Sequence, residues 1–510
     1  MGNHVSTPAF RDVDIPLKDD VRMLGEILGH VIREQAGEEL FDLVERARLS
    51  ARAWRAGQPD AAAQLEAELS GLPTQVASEL TRAFSEYFGV VNMAEQVHRI
   101  RRHLQRAAEA SGPQPGSLEA VLVSLAAQGV SWETVHSTLQ NLRVAPVFTA
   151  HPTRAIRRSL LAKEQRIARA LVDRMQASAL IPVEEAANIA RLQTEIAAAW
   201  QTEENLRARP TVADEAEYVL FYLTDVVVRI VPPFYQALRE AVRAAYGDQA
   251  AEAPQPPILD FGSWVGGDMD GNPNVGAETI AGTIAQHRTL ILRRYHDDIR
   301  QLADHLSQST SRVGVNQDVL DRLASYCHLL PHAAAQVTDR YADMPYRSLL
   351  LLMAARVQKT LDGASEGYSG AAELETDVAA MLASMQAHRG MGAGGHLLLR
   401  LLWRVQTFGF HLATLDVRQD ALVHRHAVGQ LLGIDDFAQQ SPEARVRLIT
   451  RALGTDQLAP PGDGEELRRS LAVFRAIQEG RAKLGPRAIG PFIISMSQGP
   501  DDALAVLLLA

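Results

Sequence analysis

The chain has 510 residues, of which 46% are hydrophobic and 22% charged, enough apolar material for a large core, and this composition excludes a mainly disordered protein. Its formal net charge of −10 argues against nucleic acid as the main partner, so a small anionic substrate must be collected by a local basic site. The single cysteine, Cys327, excludes an intrachain disulfide and a cysteine-based zinc site, and this sparse use fits a reducing cytoplasm.

Apolar residues recur every three to four positions along most of the chain, which predicts a mainly helical protein. Helices are predicted within 20–50 (two, the second from about Glu38), 60–106, 158–177, 183–206, 215–246, 279–308, 317–330, 346–361, 374–388 and 396–406. The longest apolar run, 218–231, contains Asp225 and Arg229, and the N-terminus has no apolar signal core. We therefore expect a soluble cytoplasmic protein with no membrane partner.

Four short segments rich in apolar or β-branched residues interrupt the helical pattern and are predicted to be buried strands. These segments are 144–149, 258–264, 410–417 and 492–497. Each ends in polar residues or glycines, and strands followed by helices with polar groups at the carboxyl ends are typical of a parallel barrel. The fold expected is a predominantly α-helical α/β protein, an incomplete TIM-like (β/α)8 barrel with about four of eight strands and a large helical shell.

The first polar cluster follows the first predicted strand. His151 lies at a turn fixed by Pro152, and an imidazole there can act as a general base near neutral pH. The start of the next helix and the guanidinium groups of Arg157 and Arg158 favour an anion, most simply a phosphate or a carboxylate. The alternative is a hydrogen-bonded structural histidine beside a solvent-exposed arginine pair.

The second cluster is the glycine-rich run 261–274, which contains Asp268 and Asp270. Its alternating acidic and amide residues suggest a calcium loop, but position six would be Pro273 instead of glycine and position twelve Thr279 instead of glutamate. The glycines favour a close approach of the backbone to a ligand or to another strand. Asp268 and Asp270 either pair with arginines or cap local amides.

The third cluster lies on the strand predicted at 410–417. Asp416 and Arg418 alternate with apolar residues, so both are expected on one face of the strand. Charges inside a barrel must be paired or must face a ligand, and an arginine at the barrel mouth suits bidentate phosphate binding. The alternative is an internal ion pair between Asp416 and Arg418 with no catalytic part.

Taken together, these clusters resemble the phosphoenolpyruvate carboxylase family, and the resemblance runs over essentially the whole chain in family order. Residues 149–153, Thr-Ala-His-Pro-Thr, match the family's catalytic-histidine signature. The other matching runs lie at 20–25, 33–41, 83–102, 202–216, 261–275, 408–419 and 493–496. The resemblance implies a single domain of this family over 1–510, corresponding to its N-terminal portion.

The resemblance also implies the reaction of bicarbonate with phosphoenolpyruvate to give oxaloacetate and phosphate, with Mg²⁺ or Mn²⁺. His151 would take the proton from a carboxyphosphate intermediate, Arg418 would hold phosphate charge, and Trp264 would wall the pocket that retains carbon dioxide. Arg157 and Arg158 fall in a region associated with phosphate-bearing ligands, including sugar-phosphate activators. The family's homo-oligomer is a tetramer, and its product supplies the tricarboxylic acid cycle.

Some residues depart from the family pattern. Arg154 stands where the family usually has glutamate, and Met269 stands where it has arginine, so Asp268 and Asp270 are expected to lack a partner. The chain ends in an apolar helical run, 503–510, whereas the family continues for nearly as much again and carries its metal-binding glutamate and aspartate there. We therefore expect this chain alone to be inactive. The alternative is a non-catalytic, anion-binding helical scaffold derived from the same fold.

Overall fold

The computed structural model describes residues 12–109, 112–149, 158–176, 181–203, 211–454 and 464–510, except for the side chains of 12 and 338–340. The chain divides into two compact units, Met1–Pro115 with Ile156–Arg209 and Gly116–Ala155 with Pro210–Ala510.

The first ten helices along the chain are α1 (Ile15–Ala36), α2 (Glu38–Arg55), α3 (Ala61–Ser70), α4 (Thr74–Glu109), α5 (Leu118–Ala127), α6 (Trp132–Asn141), α7 (Arg158–Gln176), α8 (Pro182–Trp200), α9 (Val212–Phe221) and α10 (Val228–Tyr246). The others are α11 (Asp248–Glu252), α12 (Ala277–His305), α13 (Gln317–Leu329), α14 (Pro331–Tyr341), α15 (Pro345–Leu361), α16 (Ala371–Ala387), α17 (Gly395–Phe408), α18 (Ala421–Leu432), α19 (Pro442–Leu453), α20 (Glu465–Leu484) and α21 (Pro500–Leu509). The predominantly helical character expected from the sequence is confirmed.

The first unit is helical, and its core joins the apolar faces of α1, α4, α7 and α8. Leu24 of α1 and Leu192 of α8 are fully buried in this core. The helical pattern predicted over 60–106 is divided between two helices, since α3 ends at Ser70 and α4 begins at Thr74. Pro73 accounts for the break, because its ring excludes a preceding helical turn and it has no N–H to donate.

The second unit contains a sheet of four parallel strands in the order β1 (Val147–Phe148), β2 (Gly262–Ser263), β3 (Thr414–Asp420) and β4 (Ile489–Ser495). All four overlap the segments predicted to be strands, although β4 begins three residues earlier than predicted, and their parallel arrangement confirms the α/β class. These four described strands form a small sheet and do not by themselves show the predicted barrel. Because the strands are parallel, their carboxyl ends lie at one edge of the sheet.

The third strand begins later than predicted. Residues 410–413 form a turn instead of the start of a strand, because α17 ends at Phe408 and Gly409 takes a positive φ of 49°. Leu412 also has a positive φ, 60°, although it is almost fully buried. Tyr295 donates its hydroxyl to the Gly409 carbonyl at 2.8 Å, which holds this turn in place before β3 starts at Thr414.

The helix predicted over 215–246 is interrupted by a π-helical turn, Tyr222–Val227, between α9 and α10. Pro232 and Pro233 follow within α10, and Pro232, four residues after Val228, has no N–H to donate to the carbonyl of Val228. Arg404 of α17 donates its Nε–H to that carbonyl at 3.1 Å. A side chain from a neighbouring helix therefore satisfies a buried acceptor that Pro232 leaves open.

One stretch of the described residues, Val212–Tyr246, is long and apolar enough to cross a membrane by length and composition alone. Half of its most apolar window is buried inside the protein. Val231, Tyr235 and Val242 of this stretch have no exposed surface and belong to the main core of the second unit. This stretch is therefore buried to the extent expected of a helix in a protein core.

Candidate functional site

The candidate site lies at the carboxyl edge of β2 and β3, where the loop after β2 stays paired with β3. The Arg418 N–H donates to the Gly267 carbonyl at 3.0 Å, and the Met269 N–H donates to the Arg418 carbonyl at 2.8 Å. This close approach requires glycine, because a Cβ at Gly267 would lie 2.2 Å from the backbone oxygen of Asp416. The predicted close approach of the glycine-rich backbone to another strand is confirmed.

Arg418 pairs with both carboxylates of this loop. Its Nη1 lies 3.4 Å from Asp268 Oδ2, and its Nη2 lies 2.5 Å from Asp270 Oδ2. The interpretation of these aspartates as arginine partners is confirmed, and the expectation that they lack a partner because of Met269 is wrong. The partner comes from β3, about 150 residues away in sequence, and not from the loop itself.

Trp264 contacts two polar side chains of β3, Asp416 and Arg418. Its indole Nε1–H donates to Asp416 Oδ2 at 3.2 Å, and the Arg418 Cζ lies 5.2 Å from the ring centroid, within the range of a cation–π contact. Asp416 and Arg418 thus share one face of β3, as predicted. The alternative of an internal Asp416–Arg418 ion pair is wrong, because Asp416 binds the indole and Arg418 binds the loop aspartates.

Burial sets the electrostatics of this site. Desolvation raises the pKa of the Asp416 carboxyl, and the hydrogen bond from Trp264 opposes this shift. Desolvation also raises the pKa of Asp268; the backbone N–H of Asp270 and the charge of Arg418 oppose the rise, and the charge of Asp270 adds to it. The site is therefore poorly solvated, so a charge placed there interacts strongly with its neighbours.

A cavity of about 840 Å³ adjoins the same loop. Asp270 belongs to its wall, together with His424 of α18, Arg469 of α20 and Phe492 of β4. Burial lowers the pKa of His424 to about 4, so this imidazole is neutral at pH 7. Sequence patterns do not predict this cavity. Two of the helices that line it, α18 and α20, lie between residue 406 and the helical run at 503–510, where no helix is predicted.

Of the other predicted site residues, the structure describes only Arg158. Arg158 is the first residue of α7, in the first compact unit, and its side chain is exposed. Trp264 and Arg418 belong to the second unit. His151 and Arg157 lie outside the described residues. The structure therefore brings together Arg418 and Trp264 from the predicted set and adds Asp416, Asp268 and Asp270 to them.

A metal ion does not fit the described residues. Among them, no group of three or more histidine, cysteine, aspartate or glutamate side chains could hold one. The loop carboxylates of Asp268 and Asp270 are already engaged by Arg418. The ligands of a catalytic metal would therefore have to come from outside this part of the chain.

Comparison with known proteins identifies the family. The family model described as phosphoenolpyruvate carboxylase matches residues 17–510. Among curated proteins of that name, the one from Xanthomonas euvesicatoria pv. vesicatoria is 45% identical over 514 residues, which cover all of this chain and 56% of that protein. The one from Ralstonia nicotianae is 35% identical over 97% of this chain and 52% of its own length, and the one from Roseiflexus castenholzii is 32% identical over 97% and 55%.

The chain thus spans about half the length of the curated relatives it matches. The match extends through the glycine-rich loop, β3 and β4, which carry the candidate site. This chain belongs to the phosphoenolpyruvate carboxylase family.

Proposed function

We propose that this chain contributes the Arg418 and Trp264 side of a phosphoenolpyruvate carboxylase active site, within one domain of that family that includes both compact units. The substrates would be phosphoenolpyruvate and bicarbonate, and the products oxaloacetate and phosphate. The observation that carries the proposal is the contact of Trp264 with both Asp416 and Arg418 at the carboxyl edge of the sheet. This edge is where the active sites of parallel α/β enzymes lie.

The proposed reaction has two steps. A bicarbonate oxygen attacks the phosphorus of phosphoenolpyruvate, and the bond between phosphorus and the enol oxygen breaks to give carboxyphosphate and an enolate. Carboxyphosphate then loses carbon dioxide and leaves phosphate, and the enolate carbon captures the carbon dioxide to form oxaloacetate. Free carbon dioxide must be retained between these events, so a dry, walled pocket favours the second step.

Each residue has a role in this scheme. Arg418 would hold charge on the phosphoryl group, since a guanidinium binds two oxygens of such an anion at once. Trp264, fixed by its hydrogen bond to Asp416, would wall the pocket that retains carbon dioxide. His151 would accept the proton of carboxyphosphate; β1 ends at Phe148, three residues before it in sequence, and pairs with β2, which Trp264 directly follows.

The remaining proposals rest on the family alone. Arg157 and Arg158 would bind a phosphate-bearing ligand, and the chain would act in the cytoplasm within a homotetramer. The product would replenish the tricarboxylic acid cycle. Mg²⁺ or Mn²⁺ would stabilise oxyanion charge, but its ligands are not among the described residues, and none of the steps assigned to this chain depends on it.

One observation favours the alternative of a non-catalytic, anion-binding scaffold. Both Nη atoms of Arg418 face carboxylates, so this group of three side chains carries a net negative charge when both aspartates are ionised. An incoming phosphate would have to displace at least one carboxylate from Arg418. A scaffold that never binds phosphoenolpyruvate at this site would keep the pairing intact.

The test measures oxaloacetate from phosphoenolpyruvate, bicarbonate and Mg²⁺ through its reduction by malate dehydrogenase. The chain is assayed alone and with a separately expressed part of the Xanthomonas relative, namely the part that this chain does not match. We expect turnover only in the combined sample, and we expect Arg418→Gln and His151→Asn to abolish it. Arg22→Gln is the control, because it removes the same charge at an exposed position, and it should leave turnover unchanged.

Two results would contradict the proposal. Turnover that survives Arg418→Gln would remove this residue from the site. No turnover in a combined sample that forms a stable complex, together with no binding of phosphoenolpyruvate, would favour the scaffold.

A further inference from the structure

A second polar cavity lies between α12 and α17 and shares no residue with the candidate site. Its volume is about 240 Å³, and its wall contains Arg294, His305, Arg400 and Arg404. Asp298 is the one acidic residue in this wall. Three guanidinium groups therefore face one carboxylate, which leaves an excess of about two positive charges before any protonation of His305.

Asp298 holds two of these arginines in place. Its Oδ1 lies 3.0 Å from Arg294 Nε, and its Oδ2 accepts a hydrogen bond from Arg404 Nη1 at 2.8 Å. The Asp298 side chain is 9% exposed and that of Arg404 12%, so this bridge is largely desolvated. Arg404 is also tied to the Val228 carbonyl. Two walls of the cavity are thus fixed before any ligand enters.

Arg400 differs from the other two arginines. It precedes Arg404 by one turn on the same face of α17, and it is half-buried. Within the described part of the chain it has neither an ion pair nor a hydrogen bond. Burial lowers the pKa of Arg404, and the charges of Arg294 and Arg400 lower it further, while Asp298 opposes them. Arg294 and Arg400 therefore repel Arg404, and Asp298 is the one carboxylate of the cavity wall that attracts it.

We propose that this cavity binds a small dianion, either a phosphate group or a compact dicarboxylate, with Arg400 as its principal ligand. The fixed guanidinium groups of Arg294 and Arg404 add positive charge on either side, and guanidinium groups match both anions geometrically. The cavity is smaller than the 300–1,000 Å³ or so that is typical of larger organic ligands, so it selects a compact molecule. The ligand would cancel the excess charge that the protein leaves uncompensated.

The test is calorimetric titration of the chain with inorganic phosphate at constant ionic strength, which keeps screening equal in all samples. We expect Arg400→Gln to weaken phosphate binding at least tenfold. Arg300→Gln removes the same charge from an exposed position of α12 outside the cavity and is expected to leave binding unchanged. Arg418→Gln distinguishes binding in this cavity from binding at the candidate active site. It should leave phosphate binding in the cavity unchanged, because Arg418 does not line the cavity.

A stability measurement guards against misfolded variants. In phosphate-free buffer we expect Arg400→Gln to raise the Tm, because it removes a repelling cation, and to lose the Tm increase that phosphate gives the parent chain. Parallel titrations with glycerol phosphate and malonate distinguish a phosphate group from a dicarboxylate. The proposal is overturned if none of the three anions binds at millimolar concentration, or if Arg400→Gln binds them as tightly as the parent chain.

Discussion

Trp264 donates its indole N–H to Asp416, a residue 152 positions later in the chain. This hydrogen bond joins the loop after β2 to β3 and fixes the plane of the indole. Because Asp416 is 7% exposed, the contact is shielded from water. The orientation of Trp264 is therefore set by the protein before any substrate arrives.

Replacing Asp416 tests this contact. We expect Asp416→Ala to lower the free energy of unfolding by about 1–3 kcal/mol, because the indole N–H loses its acceptor in a buried position. Asp416→Asn should cost less, since the amide oxygen still accepts and no charge is buried. Urea denaturation of both variants at pH 7 measures the difference, and equal losses would show that the acceptor is unimportant.

The pairing of Arg418 with Asp270 predicts an energetic coupling between them. In a double-mutant cycle of Arg418→Met and Asp270→Asn, we expect a coupling of about 0.5–3 kcal/mol in the free energy of unfolding, because the pair is partly shielded from solvent. The exposed pair of Arg22 and Asp19 provides the control, and its coupling should stay below about 1 kcal/mol. A coupling no larger than that of the control would contradict the pairing.

The close contact at Gly267 predicts a large effect from a single methyl group. Gly267→Ala places a Cβ against the Asp416 backbone oxygen, so the loop after β2 must move away from β3, and we expect a loss of about 1–3 kcal/mol in the free energy of unfolding. Gly282→Ala adds the same methyl group in open space within α12. It should stabilise the chain by about 0.5–1 kcal/mol. Thermal denaturation distinguishes these opposite signs.

Buried neutral histidines predict a loss of stability in acid. Burial lowers the pKa of His287 to about 4, that of His411 to about 3 and that of His424 to about 4. Their unfolded pKa is about 6.5, so the unfolded chain binds protons first as the pH falls. The stability contributed by each histidine is fully present above pH 6.5 and decreases toward pH 4, by up to about 1.4 kcal/mol per pH unit.

This acid dependence can be assigned to one residue. Urea denaturation between pH 7 and pH 4 should show a shallower loss of unfolding free energy for His424→Gln than for the parent chain. His396→Gln, at an exposed position of α17, serves as the control and should keep the parent slope. A His424→Gln slope equal to that of the parent chain would show that this histidine is not the source.

Sequence patterns predict the positions of the strands better than the contacts around them. Apolar, β-branched runs locate all four strands, because buried parallel strands need such residues on both faces. The same runs do not reveal where β3 begins, since the turn at 410–413 depends on the backbone of Gly409 and on a hydrogen bond from Tyr295 of α12. Local pattern contains no information about a partner more than a hundred residues away.

In the candidate site, too, local patterns predict the faces of a strand but not the contacts between distant residues. The alternation of Asp416 and Arg418 predicts their common face, because a strand has a period of two residues. Arg418 is the partner of Asp268 and Asp270 because of how the loop after β2 aligns with β3, and local sequence patterns do not predict this alignment. His151 remains a prediction, since it lies outside the described residues.

The guanidinium of Arg404 has two roles in different parts of the second unit. Its Nε–H supports the Val228 carbonyl, which Pro232 leaves without a helical donor in α10, while its Nη1 binds Asp298 in the wall of the basic cavity between α12 and α17. An anion in the cavity would compete with the Val228 carbonyl for the positive charge of Arg404 and so weaken this hydrogen bond to α10 without moving the side chain. Amide hydrogen exchange at 222–231 would then report on cavity occupancy, although no ligand touches that segment.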